Sequence, residues 1–135
     1  MITLAQYVGP HSNSPDWTPA RQTNAVELLN RVNDLCDYLA EQGVPLPVNP
    51  STGSGVSGQT FGGFRPQSCP QGAPDSSHKT GQGIDLYDPK DYIDNAITDA
   101  LLTRFRLYRE HPSATKSWAH LSTRAPKSGK RTFLP

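Results

Sequence analysis

Cysteine is nearly absent from this chain: only Cys36 and Cys69 occur in 135 residues. They lack Cys-x-x-Cys spacing, which argues against a thiolate metal site and against a disulfide framework. Free thiols, one on a helix and one in a loop, are the simpler reading, and the spacing leaves a bridge between them open. A surplus of charge is also missing, since 13 Lys and Arg stand against 12 Asp and Glu, a formal net charge of +1. Without a basic stripe there is no electrostatic case for nucleic acid. The last third is richer in Arg and Lys, as suits a solvated surface. Long apolar runs are absent too, and Met1–Gly9 has no basic start. Neither a membrane span nor a secretory signal is therefore expected, and synthesis in a cytoplasm is. The length suffices for one domain with a modest core.

What is present divides into short elements. Residues 1–17 read as an N-terminal extended arm with at most a short structured piece near Leu4–Val8, and residues 18–135 as a single domain. Thr18 followed by Pro19 is a helix start, because the hydroxyl can cap and proline is tolerated at the first helical position. Val26, Leu29, Val32, Leu35, Cys36 and Leu39 recur at helical spacing up to about Gln42, and Gly43 is the expected terminator. Val44–Val48 reads as a short extended piece that Pro45 and Pro47 confine to an edge or an irregular path. The Ser- and Gly-rich stretch Asn49–Gly63 reads as an ordered loop. Its Gly53-x-Gly55-x-x-Gly58 spacing is no dinucleotide fingerprint, because no apolar strand precedes it and no helix pattern follows.

Ile84-Asp85-Leu86-Tyr87 alternates like a strand, presenting Asp85 on one face while Ile84 and Leu86 pack on the other. Asp91–Arg106 reads as a second amphipathic helix with Ile93, Ile97, Leu101 and Leu102 inward, and Leu107–Thr115 as a loop. Trp118–Ser122 alternates again, and Arg131–Leu134 is a short final strand after the Ser128-Gly129 turn. The sum is an α+β domain: two principal helices against a small, mainly antiparallel sheet.

Within this frame, His78, Asp85 and His120 offer two imidazoles and a carboxylate as one metal-ligand set. Alone, each would be an ordinary surface or hydrogen-bonded residue. Together they suit a zinc site of the open kind, in which three protein ligands leave the fourth place for water. Nitrogen and oxygen ligands also suit other first-row metals.

The run Ser76-Ser77-His78-Lys79-Thr80-Gly81-Gln82-Gly83-Ile84-Asp85, with Trp118-Ala119-His120 beyond it, resembles the zinc D-alanyl-D-alanine carboxypeptidases and L-alanyl-D-glutamate endopeptidases. Their signature reads Ser-x-His-x-x-Gly-x-Ala-x-Asp and is completed by a later Trp-x-His or Trp-His. Ser76, His78, Gly81 and Asp85 match, and Gly83 stands where Ala is usual. Gly63-Phe64-Arg65 is similar to a Ser-Gly-Tyr-Arg segment of that family. The resemblance implies the hedgehog/DD-peptidase fold with a strand at Val44–Val48, one Zn2+ on His78, Asp85 and His120, and substrate binding by Arg65 and Ser76. For Arg65 the mechanism is physical: a guanidinium grips a carboxylate through two parallel hydrogen bonds.

One position departs from the pattern. The family carries a Glu or Asp three residues before the second His, and this chain has Ser117. A hydroxyl is too weak a base to take a proton from the attacking water near neutral pH, and removal of a general base costs about 100- to 10,000-fold in rate. The catalytic base is therefore unassigned, with Glu110, Asp75 and Asp88 the nearest replacements. Two functions follow. One is a zinc peptidase acting on peptidoglycan stem peptides. The other is a catalytically inactive structural or binding component of a phage virion, partnered with phage structural proteins. The resemblance implies a small bacteriophage member, made in the bacterial host cytoplasm without a signal peptide and incorporated, in the second reading, into the virion. A regulatory domain of the hedgehog type shares the scaffold but has no further support in the sequence.

Overall fold

Thr3 opens the first element by a reciprocal cap. Its hydroxyl accepts from the Gln6 amide at 3.2 Å, and the Gln6 side chain accepts from the Thr3 amide at 2.9 Å. In the computed structural model, which describes residues 1–135, this cap starts helix α1 (Leu4–Val8), and a 3-10 turn at Gly9–His11 follows. The short structured piece expected near Leu4–Val8 is thus this helix, and the segment packs on the domain. Ile2, Tyr7 and Val8 belong to the core, and the side chain of Asn33 holds both the amide and the carbonyl of Ile2. The Tyr7 hydroxyl donates to the carbonyl of Gly83 at 2.9 Å, tying the segment to the sheet.

Helix α2 (Pro19–Glu41) starts where Thr18 and Pro19 predict, with the Thr18 side chain accepting from the Arg21 amide, and Gly43 follows its end at φ +86°. Its buried face is Ala25, Leu28, Leu29, Val32, Leu35, Cys36 and Leu39. Val26, expected in that stripe, is 47% exposed. At 3.6 residues per turn it lies about 100° round the helix from Ala25, beyond the buried arc.

Val44–Val48 is not a strand. Pro45 and Pro47 have no amide to give a ladder, and the nearest pairing is the isolated bridge between Asn49 and Ser54. The following loop is ordered as expected. Asn49 is buried, its side-chain amide donating to the Ser57 carbonyl at 2.8 Å. The loop then runs beside β1 (Gly83–Tyr87), where the amides of Asp85 and Tyr87 donate to the carbonyls of Gly62 and Gly55, each at 2.7 Å.

The expected helix Asp91–Arg106 is two helices, α3 (Tyr92–Ala96) and α4 (Asp99–Phe105). Ile97 is extended between them, and the Thr98 hydroxyl accepts from the Leu101 amide, so a second cap interrupts an otherwise continuous apolar period. Leu107–Thr115 is likewise not all loop, for it contains β2 (Tyr108–Glu110) and a 3-10 turn at Pro112–Ala114. Strands β3 (Trp118–Ser122) and β4 (Thr132–Phe133) fall within their expected ranges. The sheet order is β1-β3-β2-β4, antiparallel except for the parallel pair of β2 and β4.

The fold is therefore α+β, a small four-stranded and mostly antiparallel sheet with several helices. Ile84, Leu86, Ala119 and Leu121 turn one sheet face into a core of 20 residues, shared with α2 and the N-terminal segment. By the two-residue alternation of strands, Asp85 and His120 stand on the opposite face. No helix is long and apolar enough to cross a membrane. Cys36 and Cys69 are both free, and burial pushes the Cys36 thiol up to about 12, which keeps it protonated and unreactive.

Candidate metal centre

The register between β1 and β3 sets Asp85 directly beside His120. His78 joins them from the turn that precedes β1. That turn depends on Gly81, whose φ is +77° and where a Cβ would stand 2.5 Å from the carbonyl oxygen of Arg21. Ser76 tightens it by accepting from the His78 amide at 3.3 Å. The ligand atoms of His78, Asp85 and His120 all lie within 4.8 Å of one another, so this largely buried group could hold a metal ion.

Hydrogen bonding fixes how the rings present themselves. Nδ1 of His78 is 2.8 Å from the carbonyl oxygen of Gly63. A carbonyl only accepts, so Nδ1 carries the hydrogen and a neutral ring turns the lone pair of Nε2 inward. That nitrogen is 3.3 Å from Oδ1 of Asp85. Two lone pairs at this distance repel unless a cation or a proton lies between them. Nδ1 of His120 is 2.8 Å from the same oxygen, and its Nε2 is 3.4 Å from the Ser77 hydroxyl. An imidazole whose outer N–H is anchored on a backbone carbonyl, leaving the inner nitrogen for a ligand bond, is the arrangement that metal-ligating histidines adopt, and His78 has it. The donor set therefore fits a divalent cation.

Electrostatics agree with the geometry. Burial alone would push the Asp85 carboxyl up, but positive charge at His78 and hydrogen bonds from both imidazoles outweigh it and hold the carboxyl well below the usual carboxylate range, the direction a cation seated between these groups would also favour. Arg65 lies on its other side, with one terminal nitrogen 3.3 Å from Oδ2. Nε of Arg65 donates to the Phe61 carbonyl at 2.7 Å, which leaves the remaining terminal nitrogen without a protein partner.

The group lies in a cleft of about 780 Å³ that also takes in Ser76, Arg65, Glu110, Asp75, Arg124 and Phe133. Ser117 is not among the residues that line it. It is exposed at φ +75°, and its backbone is engaged with Asp91 and Asp88 at the entry to α3. Of the three replacement bases, Asp88 is fully buried away from the cleft, both its oxygens accepting from the amides of Ile93 and Asp94. Asp75 is exposed at the rim. Glu110 is half-buried inside, and burial raises its carboxyl, the charge of Asp85 adding to the effect and those of His120 and His78 opposing it.

Sequence reasoning missed Ser77, whose contact with His120 depends on Gly83 opposite it: a Cβ there would stand 2.2 Å from the Ser77 hydroxyl oxygen. It also missed Arg124, which lines the cleft and donates to the carbonyl of Asp75. Neither carries a motif, since both are brought in by tertiary packing. His11 and His111 lie outside the cleft, His11 bonded to the Thr60 carbonyl of a distant loop and His111 to the nearby Ser113. No family model, no curated protein and no solved structure matches this chain.

Proposed function

We propose that the chain is a zinc-binding peptidase that hydrolyses peptidoglycan stem peptides, as its resemblance to the zinc D-alanyl-D-alanine carboxypeptidases and L-alanyl-D-glutamate endopeptidases implies. The observation that carries this reading is the convergence of His78 Nε2, His120 Nδ1 and Asp85 Oδ1 at the floor of one cleft. Two imidazoles and one carboxylate are the three-ligand set of open catalytic zinc sites. When bound, zinc would supply Lewis acidity toward a carbonyl and make its water a stronger acid. The chain's own residues do the rest. Gly63 fixes the tautomer of His78, and the Ser77 hydroxyl faces the outer nitrogen of His120. The unpartnered terminal nitrogen of Arg65 supplies a donor for the carboxylate of a peptide end, and Arg124 and Lys127 add positive charge along the same wall.

A second reading is favoured by one observation: position 117 bears no carboxylate and does not line the cleft. It makes the chain a metal-stabilised structural or binding part of a phage particle. Metal content and hydrolysis measured on one preparation separate the two. The peptidase reading expects about one zinc per chain and release of D-alanine or cleavage of a stem peptide, both abolished by chelation. Bound zinc without cleavage would favour the structural reading. His78→Ala and His120→Ala are each expected to lose the zinc, and full metal content in both variants would overturn the site.

A further inference from the structure

We infer that Glu110 supplies the carboxylate that position 117 lacks, accepting the proton of the attacking water and returning it to the departing amine. This rests on the peptidase reading above. The pairing of β2 with β3 runs Tyr108 to Ser122 and Arg109 to Leu121, and the next step of that register brings Glu110 beside His120. On the other edge of β3, Asp85 is beside His120 as well. Asp85, His120 and Glu110 therefore form one row across three neighbouring strands, and directly opposed residues in a sheet project from the same face. The side chain of Glu110 accordingly lines the cleft that holds both ligands.

Three further observations single it out. Glu110 takes part in no side-chain hydrogen bond and no ion pair, although it is half-buried. A carboxylate on a strand with no structural partner is free to accept a proton. Asp85 is committed to His78, His120 and Arg65, and Asp75 is on the exposed rim, so no other carboxylate of the cleft combines shelter with freedom. Finally, β4 pairs Phe133 with Glu110, and the Phe133 ring stands edge-on to His120 at 6.5 Å, closing the flank of the row with an apolar wall.

The step balances without any oxidant or reductant. The water oxygen bonds to the carbonyl carbon as one of its protons passes to Glu110. The carbon–nitrogen bond then breaks as that proton passes to the amine nitrogen, and one water has been added across the peptide bond.

The test uses the whole zinc-loaded chain and a stem peptide ending in D-alanyl-D-alanine. Glu110→Gln is expected to lower kcat by about 100- to 10,000-fold while KM moves little, with zinc content unchanged. A second readout does not depend on turnover. Binding of a phosphinate isostere of D-alanyl-D-alanine, followed by calorimetry, is expected to weaken by about tenfold or more, because such an analogue tightens through contacts made in the transition state. Should Glu110→Gln unfold, Glu110→Asp keeps the charge, withdraws the carboxylate by one methylene and is expected to lose kcat with zinc retained. Wild-type rate in either folded variant, or a loss of kcat on Asp75→Asn in place of Glu110→Gln, would overturn the role of Glu110 alone. A wild-type chain that binds no zinc, or binds it and cleaves nothing, would overturn the peptidase reading and this inference with it.

Discussion

At the scale of single residues, what could be read from the sequence was the chemistry carried by side chains in a short motif. His78, Asp85 and His120 are brought together as their pattern suggested. Glu110 was one of three candidates with nothing to choose between them, because its position is fixed by strand register. The acidic turn before α3 makes the same point. Asp88, Asp91 and Asp94 lie close together, yet each is used structurally: Asp88 caps α3, Asp91 accepts from the Ser117 amide, and Asp94 accepts from the Thr115 hydroxyl, with Arg109 at 3.7 Å. Burial, reinforced by Asp88 and Asp91 and opposed by the Thr115 bond and Arg109, pushes the Asp94 carboxyl up to about 6. The folded chain then holds a proton that the unfolded chain has released, so this group destabilises the fold as pH rises from about 4 to about 6. Asp94→Asn removes the ionisation and keeps an acceptor for Thr115. Its stability relative to wild type is therefore expected to increase across that window, as urea midpoints at several pH values would register. Glu110 contributes with the same sign and remains in both proteins. A difference that stays flat from pH 4 to 6 would refute the account.

At the scale of elements, long periodic segments were legible and short ones were not. Helix α2 announced both ends through Thr18-Pro19 and Gly43. Strands β1 and β3 announced themselves by alternation, because one face packs on the core and the other carries the site. The three residues of β2 carry no alternation that could be seen, and they form a strand because neighbours on both sides pair with them. Of the N-terminal segment only the short piece near Leu4–Val8 was legible, because Ile2, Tyr7 and Val8 find their partners on distant elements, through Asn33 and Gly83. The break between α3 and α4 had a readable signal in Thr98, which was hidden by an apolar period running across it. Thr98→Ala removes the acceptor for the Leu101 amide and is expected to cost about 1 kcal/mol, the usual worth of an N-cap hydroxyl. Thr98→Ser should recover most of it, and a silent Thr98→Ala in chemical denaturation would mean that packing, not the cap, divides the helices.

At the scale of the whole molecule, the candidate site couples three separate parts of the chain: the turn after Ser76, the edge strand β1 and the inner strand β3. Gly63 and Arg65 bring in a fourth through His78 and Asp85. Without a cation, the inward nitrogen of His78 and the Asp85 carboxylate stand 3.3 Å apart and need a proton between them. A metal ion would take the place of that proton, held by His78, Asp85 and His120, and it could do so only when all these segments are folded together. Binding to the folded state alone stabilises by RT ln(1 + [L]/Kd), about 2.7 kcal/mol at a free concentration one hundred times Kd. For a chain of this size that corresponds to a rise in Tm on the order of 10 °C. Zinc titrated into chelator-treated protein is therefore expected to raise Tm progressively and EDTA to reverse it, whether or not the chain hydrolyses anything. In His120→Ala the shift should vanish while the metal-free Tm changes far less. A zinc shift that survives this substitution would move the cation to another part of the molecule, and no shift in the wild-type chain would leave the imidazoles held by a shared proton instead.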